Sequence, residues 1–388
     1  MSKTQIPASI KNQLLIKSGG RCQYRGCNVS LYKDIVTKRD FNQSYIAHII
    51  ADVPGGPRGD LKRSPLLAKD LSNLMLLCSA HHRLIDVVDV QKHQESVLLE
   101  MKKEHEDRIE RVTAIASNMQ SHILTYKANV GNFTPEISYQ TVSQYLQPDY
   151  FPAMSDCIDL SLSNSIQRDR DVIFWATELA NLEAQFNRKL FQNFTKGEIK
   201  HLSIFAFAPI PLLVRLGTLV NDIYNCRIHH KVRYPDTWNL DDDKTEIKYK
   251  VIKPTTKSKT VALNISLSGT ITNDRITNLL GNECDIYTLT IDNPFNDYLK
   301  SKKQLEDFSL TVRQLFNQIK MEYGETTPLH IFPAMPIAKA IELGRVWMPK
   351  VDMMLHIYDQ NTFNGGFTKA IEIFKKSQTP LFLNLHTF

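Results

Sequence analysis

Residues 73–86 read N-L-M-L-L-C-S-A-H-H-R-L-I-D and concentrate side chains that metal and phosphate chemistry uses. Cys78 and His81 have the short spacing by which neighbouring side chains grip one zinc ion, and His82, the next residue, must then point elsewhere. A second thiol pair, Cys22 and Cys27, lies upstream in R-C-Q-Y-R-G-C, where Gly26 permits a tight knuckle. Cys22, Cys27, Cys78 and His81 together make a Cys3His tetrahedron, closed to substrate and so structural. Unrelated buried thiols are the alternative. His48 stands in S-Y-I-A-H-I-I, before the loop P-G-G-P-R-G-D at 54–60. A lone histidine on a strand is ordinarily structural, but Asn73 and the His81-His82 pair that follow make His48 a candidate for chemistry.

Three elements must hold these residues. Residues 8–18 predict an amphipathic helix with Ile10, Leu14 and Leu15 on one side and Gly19-Gly20 as its stop. Residues 44–50, rich in β-branched and aromatic types, predict the strand that carries His48. Residues 95–117 predict a charged helix with Leu98, Met101, Ile109, Val112 and Ile115 on one stripe. The net charge of +6 is concentrated here: residues 1–90 hold 13 Lys and Arg against 7 Asp and Glu, and the remainder is neutral. A polyanion partner for the first part explains this, and an uneven solvated surface is the alternative. The start, M-S-K-T-Q-I-P, lacks a signal-peptide pattern, and the longest apolar run, 202–214, contains two prolines and is short of a membrane span. A soluble, cytoplasmic protein with no membrane partner is expected. The other thiols, Cys157, Cys226 and Cys284, are scattered and read as buried apolar groups.

His48, Asn73 and His82, set in an A-H-I strand and an N-L-x-x-L-C-x-x-H-H segment behind a Cys pair, resemble the HNH endonuclease family with its ββα-metal fold. The resemblance implies that His48 is the general base that activates water, that Asn73 orients it, and that His82 binds a catalytic divalent ion, usually magnesium. Such chemistry is what phosphodiester hydrolysis needs: a deprotonated water, a Lewis acid and exact placement of both. Arg58, Lys62 and Arg63 are candidates for the DNA backbone. In that family the residue before the first His is often Asp. Here it is Ala47, so the second ligand is open among Asp52, Asp60 and Asp86, the last of which also suits a helix-side partner of Arg83.

Beyond residues 1–118, taken as the first domain, residues 119–150 are polar and read as a linker and the entry to a new domain, and 151–388 as that second domain. Residues 167–195 predict a long helix with Trp175 and Leu179. An internal repeat follows. L-S-I-F-A-F-A-P-I-P-L-L-V-R-L-G at 202–217 aligns with L-H-I-F-P-A-M-P-I-A-K-A-I-E-L-G at 329–344, offset by 127, with seven identical pairs that include Pro209/Pro336 and Gly217/Gly344. His229 and His356 fall in step, and A-L-N-I-S-L-S-G at 262–269 echoes the strand-like end of the chain at 382–388. Two copies, about 195–270 and 320–388, each a buried strand, a Pro-bounded turn and a helix, predict two Rossmann-like halves about a pseudo-twofold, with a shared crevice at Ala208-Pro209 and Met335-Pro336. The absence of Gly-x-Gly-x-x-Gly after either strand argues against a dinucleotide redox cofactor.

The I-F-A-F-A-P and I-F-P-A-M-P turns, the L-S-L-S-G strand and Tyr358-Asp359 resemble the SAVED sensor domain, two fused CARF-like units. With the first domain, the chain is similar to the HNH-SAVED effector nucleases of CBASS anti-phage systems. That resemblance implies a mixed α+β and α/β chain in which a cyclic dinucleotide such as cyclic GMP-AMP drives a homo-oligomer from dimer to tetramer and releases cleavage of double-stranded DNA. Candidate ligand contacts are Pro209 and Pro336 at the turns, Trp238 and Trp347 for base stacking, Lys231, Arg233 and Arg345 for phosphates, and Ser266 and Ser268 at a strand end. Burial in the core or an ordinary ion pair is the alternative for each. Two other functions compete: a zinc-stapled DNA-binding regulator with a nucleotide sensor and no cleavage, and a restriction-type HNH nuclease recognising modified DNA.

Overall fold

The computed structural model describes residues 4–374 except 35, 134, 164, 172, 242–245, 362 and 364. The echo at 382–388 lies outside the described residues. Contacts divide the chain into two compact units, Met1–Ser117 and Asn118–Phe388. No helix among the described residues is long and apolar enough to cross a membrane.

The first unit is built on a short antiparallel pair, β1 (Ser44–His48) and β2 (Leu74–Cys78), in register from Ser44 opposite Cys78 to His48 opposite Leu74. Its helices are α1 (Ala8–Ser18), α2 (Arg63–Leu67), α3 (Ser79–Arg83) and α4 (Glu95–Thr113), and Leu84–Val88 continues α3 as a wider π turn. Gly19 ends α1 at φ 59°, a left-handed cap for which glycine carries no Cβ penalty. Strand β2 is continuously apolar from Leu74 to Leu77 and fully buried, because α1 and α4 cover it with Leu14, Leu98 and Met101. That core fixes the strand ends on which Cys78 and His48 stand.

The second unit contains two sheets. In the first, β3 (Gln120–Lys127) lies at the centre of parallel pairings with β4 (Phe151–Pro152), β5 (Ile158–Asp159) and β6 (Leu202–Phe207), and β6 pairs with β7 (Cys226–His229). Helices α5 (Tyr139–Val142), α6 (Phe174–Phe186) and α7 (Gln192–Thr195) lie between β3 and β6, and α8 (Ile210–Val220) between β6 and β7. The second sheet has the order β13-β12-β11-β9-β10-β8, from β8 (Lys250–Ile252), β9 (Thr260–Ser266), β10 (Cys284–Thr290), β11 (Leu329–Ala334), β12 (Leu355–Asn361) and β13 (Gly366–Ile373). Its four inner strands are parallel and its two edges antiparallel. Helices α9 (Asn273–Leu280), α10 (Lys302–Tyr323) and α11 (Ile337–Val346) connect them.

Both copies of the repeat are strand, Pro turn and helix, β6-α8 and β11-α11, and the two helices pack on each other. The identical pair Gly217/Gly344 makes that contact. A Cβ on Gly217 would stand 2.0 Å from Ile341 O, and one on Gly344 2.0 Å from Val214 O.

The structure corrects four readings. Residues 119–150 are not a linker, since β3 is buried and hydrogen-bonded on both sides. The first copy therefore begins there, and β9, assigned by sequence to the first copy near 262–269, belongs to the second: β3 is to β6 what β9 is to β11. The helix expected from 167 begins at Phe174 and is interrupted by a π turn at Asn187–Phe191. His229 corresponds to Tyr358 rather than His356: His229 stacks on Phe205 with centroids 4.1 Å apart, and Tyr358 stacks on Phe332 at 4.3 Å. The connection before β12 is two residues longer, which shifts the register past the sequence offset.

Candidate functional site

The knuckle of the first unit is assembled by three short pieces of chain. Cys22 and Cys27 come from the loop after α1, Cys78 from the end of β2 and His81 from α3, and their ligand atoms all lie within 4.8 Å of one another. His81 Nδ1 is 3.1 Å from Cys78 Sγ and 3.7 Å from Cys22 Sγ. Burial pushes the Cys22 thiol up to about 12, the neighbouring thiols add to the push, and the N–H groups of Cys78 and Tyr24 oppose it. Burial also lowers His81, which keeps the imidazole neutral. A buried thiol such as Cys22 needs a cation to hold it as a thiolate, and three clustered sulfurs with an imidazole are the donor set of a tetrahedral ion such as zinc. Sequence reasoning missed Tyr24, which stacks on His81 at 4.0 Å and bonds His93 Nε2 at 3.0 Å. Its position between the paired cysteines was the available signal.

Along β1 a cavity of about 610 Å³ is lined by His48, His82, Asp52, Asp86 and Tyr45 among others. His48 is buried at the end of β1, and its Nε2 donates to Ala68 O at 2.9 Å, because a carbonyl can only accept. The ring's lone pair is then on Nδ1. Asn73 clamps the backbone that follows: its Oδ1 accepts from Ile50 N at 2.8 Å, its Nδ2 donates to Ile50 O at 2.8 Å, and its carbonyl takes Ile49 N at 2.8 Å. His82, half-buried, stacks on Tyr45 at 5.1 Å and has Nε2 3.4 Å from Asp86 Oδ2. Of the three residues singled out by sequence, His48 and His82 line this one opening, and Asn73 does not line it but holds the backbone of Ile49 and Ile50 directly after His48.

The basic residues beside this cavity sort differently from the expectation. Arg58 does not face solvent: its side chain is 4% exposed and its guanidinium donates to Ile49 O at 2.5 Å, Ile85 O at 2.8 Å and Asp86 Oδ1 at 2.6 Å. It braces the loop against the helix instead of waiting for a phosphate. Arg63 is exposed but holds Glu95 across 2.5 and 2.9 Å, and Lys62 is exposed. Of the three carboxylate candidates, Asp60 is exposed and accepts from the N–H groups of Lys62 and Arg63, which holds its carboxyl below the usual range. Asp52 and Asp86 line the cavity, and Asp86 pairs with Arg58 and His82, not Arg83.

In the second unit a crevice of about 340 Å³ opens where β6, β9 and β11 end. Phe207 and Ile210 line one side, while Ala208 and Pro209 between them, expected there from sequence, do not, and residues 334–337, with Pro336, line the other. Lys231, Arg233 and Ser268 are on its wall, joined by His230, Asn296 and Asp297, which sequence reasoning did not reach because no repeat or motif marks them. Burial pulls His230 down to about 4. Burial pushes Asp297 up, but Lys300 at 2.6 Å and the Arg233 N–H outweigh it and hold the carboxyl below the usual range. Four other candidates are not in the crevice. Ser266 is buried and bonded to Asn264 Oδ1 and Ile271 N; Arg345 donates to Asn221 O and Glu342; Trp347 is buried with Nε1 on Met353 O. Trp238 packs edge-on against Phe205 and lines a separate cavity of about 720 Å³ along β7.

Residues 182–373 match the family model SAVED, the "SMODS-associated and fused to various effectors sensor domain". A search of curated proteins finds no match. Among solved structures the chain is similar to an Acinetobacter baumannii Cap4 SAVED/CARF-domain containing receptor with the cyclic trinucleotide 2'3'3'-cAAA, at 14% identity and a TM-score of 0.43, covering 77% of this chain and 67% of that one. A second structure of the A. baumannii receptor gives 13%, 0.41, 80% and 72%, and a Moraxella osloensis Cap4 SAVED/CARF-domain containing receptor gives 12%, 0.37, 72% and 60%. The sequence match spans α8, α11 and every wall of the crevice, so the second unit of this chain carries a SAVED sensor domain.

Proposed function

We propose that the chain is a metal-dependent endonuclease of double-stranded DNA, held inactive until its SAVED domain binds a cyclic oligonucleotide, and that it serves anti-phage defence as a CBASS effector. The observation that carries this reading is the convergence of His48 and His82 on one cavity, with Asn73 clamping the residues after His48, in a unit separate from a sensor domain. The first unit is read as an HNH nuclease, its strand pair and helix forming the ββα arrangement around the knuckle. Zinc at Cys22, Cys27, Cys78 and His81 is structural. His48, with Nε2 anchored on Ala68 O, acts as general base through its free lone pair. His82 would be one ligand of a magnesium or another divalent ion, with Asp86 and Asp52, which line the same cavity, as candidates for the oxygen ligands, and such an ion would supply Lewis-acid polarisation of the scissile phosphate. Lys62 and Arg63 remain the surface cations for DNA.

The proposed ligand of the crevice is a cyclic di- or trinucleotide: cyclic GMP-AMP follows from the family resemblance, and the A. baumannii receptor, similar in fold, is bound to 2'3'3'-cAAA. Lys231 and Arg233 supply phosphate contacts and the paired Pro turns the shape. Ligand-driven assembly from dimer to tetramer couples the units, since a sensor and a nuclease on separate units need a change of association to communicate. The deciding experiment incubates the purified chain with plasmid DNA and magnesium, with and without a panel of cyclic di- and trinucleotides, beside His48→Ala. Cleavage that depends on one cyclic nucleotide and on His48 is expected. Cleavage in every lane would refute gating, and its absence in all would favour the DNA-binding regulator.

A further inference from the structure

At the end of β3 a second, smaller cavity of about 310 Å³ opens, and it shares no lining residue with the crevice. Its lining includes Lys127, Asn129, Asp159, Ser161, Ser165 and Glu178. Glu178, in the second turn of α6, has no exposed surface, and neither of its carboxyl oxygens has a hydrogen-bond partner among the described residues. The buried Ser165 hydroxyl beside it is close enough to draw the carboxyl partway down but outside hydrogen-bond geometry, and the Tyr126 hydroxyl behind it is unmatched. Buried polar groups are matched almost without exception, and a carboxyl left bare in the interior costs folding free energy that an apolar residue of similar size would not. Other polar groups nearby are bonded to one another. Asp159 Oδ1 accepts from Ser161 Oγ at 2.5 Å and Thr125 Oγ1 at 3.2 Å, while Asn129 Nδ2 donates to Ser165 O at 2.9 Å and Gln167 O at 2.7 Å. Those bonds tie Ser161, Ser165 and Gln167 to β3 and its neighbours and do not use the carboxyl. The cavity reaches the surface at Glu136 and Ser163, which are exposed.

The lining charges, Glu136, Asp159 and Glu178 against Lys127, select a donor and repel an anion. A carboxylate presents two parallel acceptors, and its best-matched partner is a planar group with two adjacent N–H donors. The volume is at the small end of the roughly 300–1,000 Å³ typical of ligand sites, enough for a single ring system. We propose that the Glu178 cavity is a binding site for a planar group with two adjacent N–H donors, the chemistry shared by a guanidinium and the edge of guanine. Burial pushes the Glu178 carboxyl up to about 7, with Ser165 pulling partway back, so a donor pair can convert it to carboxylate near neutral pH without a large energetic barrier.

The test is calorimetric titration of the full chain with guanosine and with methylguanidine, against adenosine and methylammonium as controls, for wild type and Glu178→Gln. Glutamine keeps the shape and removes a buried charge, so the variant retains its fold, which its melting transition verifies. Saturable binding of guanosine or methylguanidine, weakened about 10-fold or more in the variant, is expected from loss of a charge-assisted pair. Guanosine binding identifies a nucleobase as the source, and methylguanidine binding alone a guanidinium. Binding of neither, equal binding of adenosine or methylammonium, or unchanged affinity in Glu178→Gln would overturn the assignment. The wild-type selectivity decides the matter even if the variant is unstable.

Discussion

Gly344→Ala places a methyl group where α11 meets α8. Its Cβ would stand 2.0 Å from Val214 O and 2.8 Å from Thr218 N, where 3.4 Å is ordinary contact. Both obstacles are helix backbone, so no side chain can turn aside and the helices themselves must part. Over-packing costs about 1–3 kcal/mol, and more where backbone moves, while alanine in place of helical glycine returns about 1 kcal/mol. The faces being parted include Leu212, Leu213, Val214 and Leu216 against Ala340, Ile341 and Leu343, all buried in one core shared by both halves of the sensor. We therefore expect a net loss of about 2 kcal/mol, the upper end of the over-packing range less the glycine term. At roughly 2–4 °C per kcal/mol for a unit of this size, the second unit's transition should fall by about 4–8 °C in a calorimetric scan, with the first unit's transition as internal control. Gly217→Ala meets Ile341 O at the same 2.0 Å and should cost about as much. The double variant is the sharper test. A gap opened by one methyl already admits the other, so the two losses should be sub-additive by about 1 kcal/mol or more. An unchanged or raised melting temperature, or strict additivity, would refute the close-contact reasoning.

Chelation or Cys27→Ser should abolish the first unit's transition and spare the second's, since structural zinc contributes about 10–16 kcal/mol in small metal domains against a typical stability of about 5–15; a first unit that melts unchanged in chelator would exclude a structural ion. Arg58→Ala should cost about 3–5 kcal/mol by leaving Asp86 and two buried carbonyls unpaired, whereas Arg63→Ala, which breaks only the exposed pair with Glu95, should cost under about 1 kcal/mol; equal losses by denaturant titration would contradict the buried role of Arg58. Burial pulls His201, His229 and His230 from the ordinary 6.5 down to about 4, about 3 and about 4, so below pH 6.5 the unfolded chain binds protons that the native chain refuses. The histidines' contribution should be complete above about pH 6.5 and be lost toward pH 4, with His330 at about 4 adding to it, partly offset by Glu178 and Asp359, whose values raised to about 7 favour the native state as they protonate; a melting temperature that rises between pH 6 and 4 would refute this.

The parts of the fold that were legible in the sequence are those that depend on one residue type at a fixed spacing. Cys22, Cys27, Cys78 and His81 met because a knuckle needs donors at short intervals, and the repeat was visible because Pro209/Pro336 and Gly217/Gly344 answer identical geometric demands in each copy. Strand β3 was hidden for the opposite reason. Ser121 and Thr125 make it read as polar, yet both are buried: Ser121 Oγ lies 2.8 Å from both Ser203 Oγ and His201 Nδ1, and Thr125 Oγ1 bonds Asp159. The partners that make those hydroxyls tolerable in a core lie some 34 to 82 residues away in sequence, where no local pattern records them.

The cations follow one rule. Arg58, Arg345 and Lys231 all stand beside turns that a phosphate could reach by sequence position, and that position does not separate them. Burial did. Arg58 and Arg345 reach backbone carbonyls at ends of chain that fold over them, so their five donors are spent on unmatched acceptors of the fold itself. Lys231 instead bridges the exposed Asp236 and the face of Trp238, and Arg233 stays exposed at the crevice. A cation held by a surface carboxylate can exchange that partner for a phosphate at little cost, whereas one held by buried carbonyls cannot leave without stranding them. The exchangeable pair lies on the crevice wall, and this is why Lys231 and Arg233, rather than Arg345, are the residues whose substitution by alanine should weaken binding of a cyclic nucleotide while leaving the melting temperature of the sensor in place.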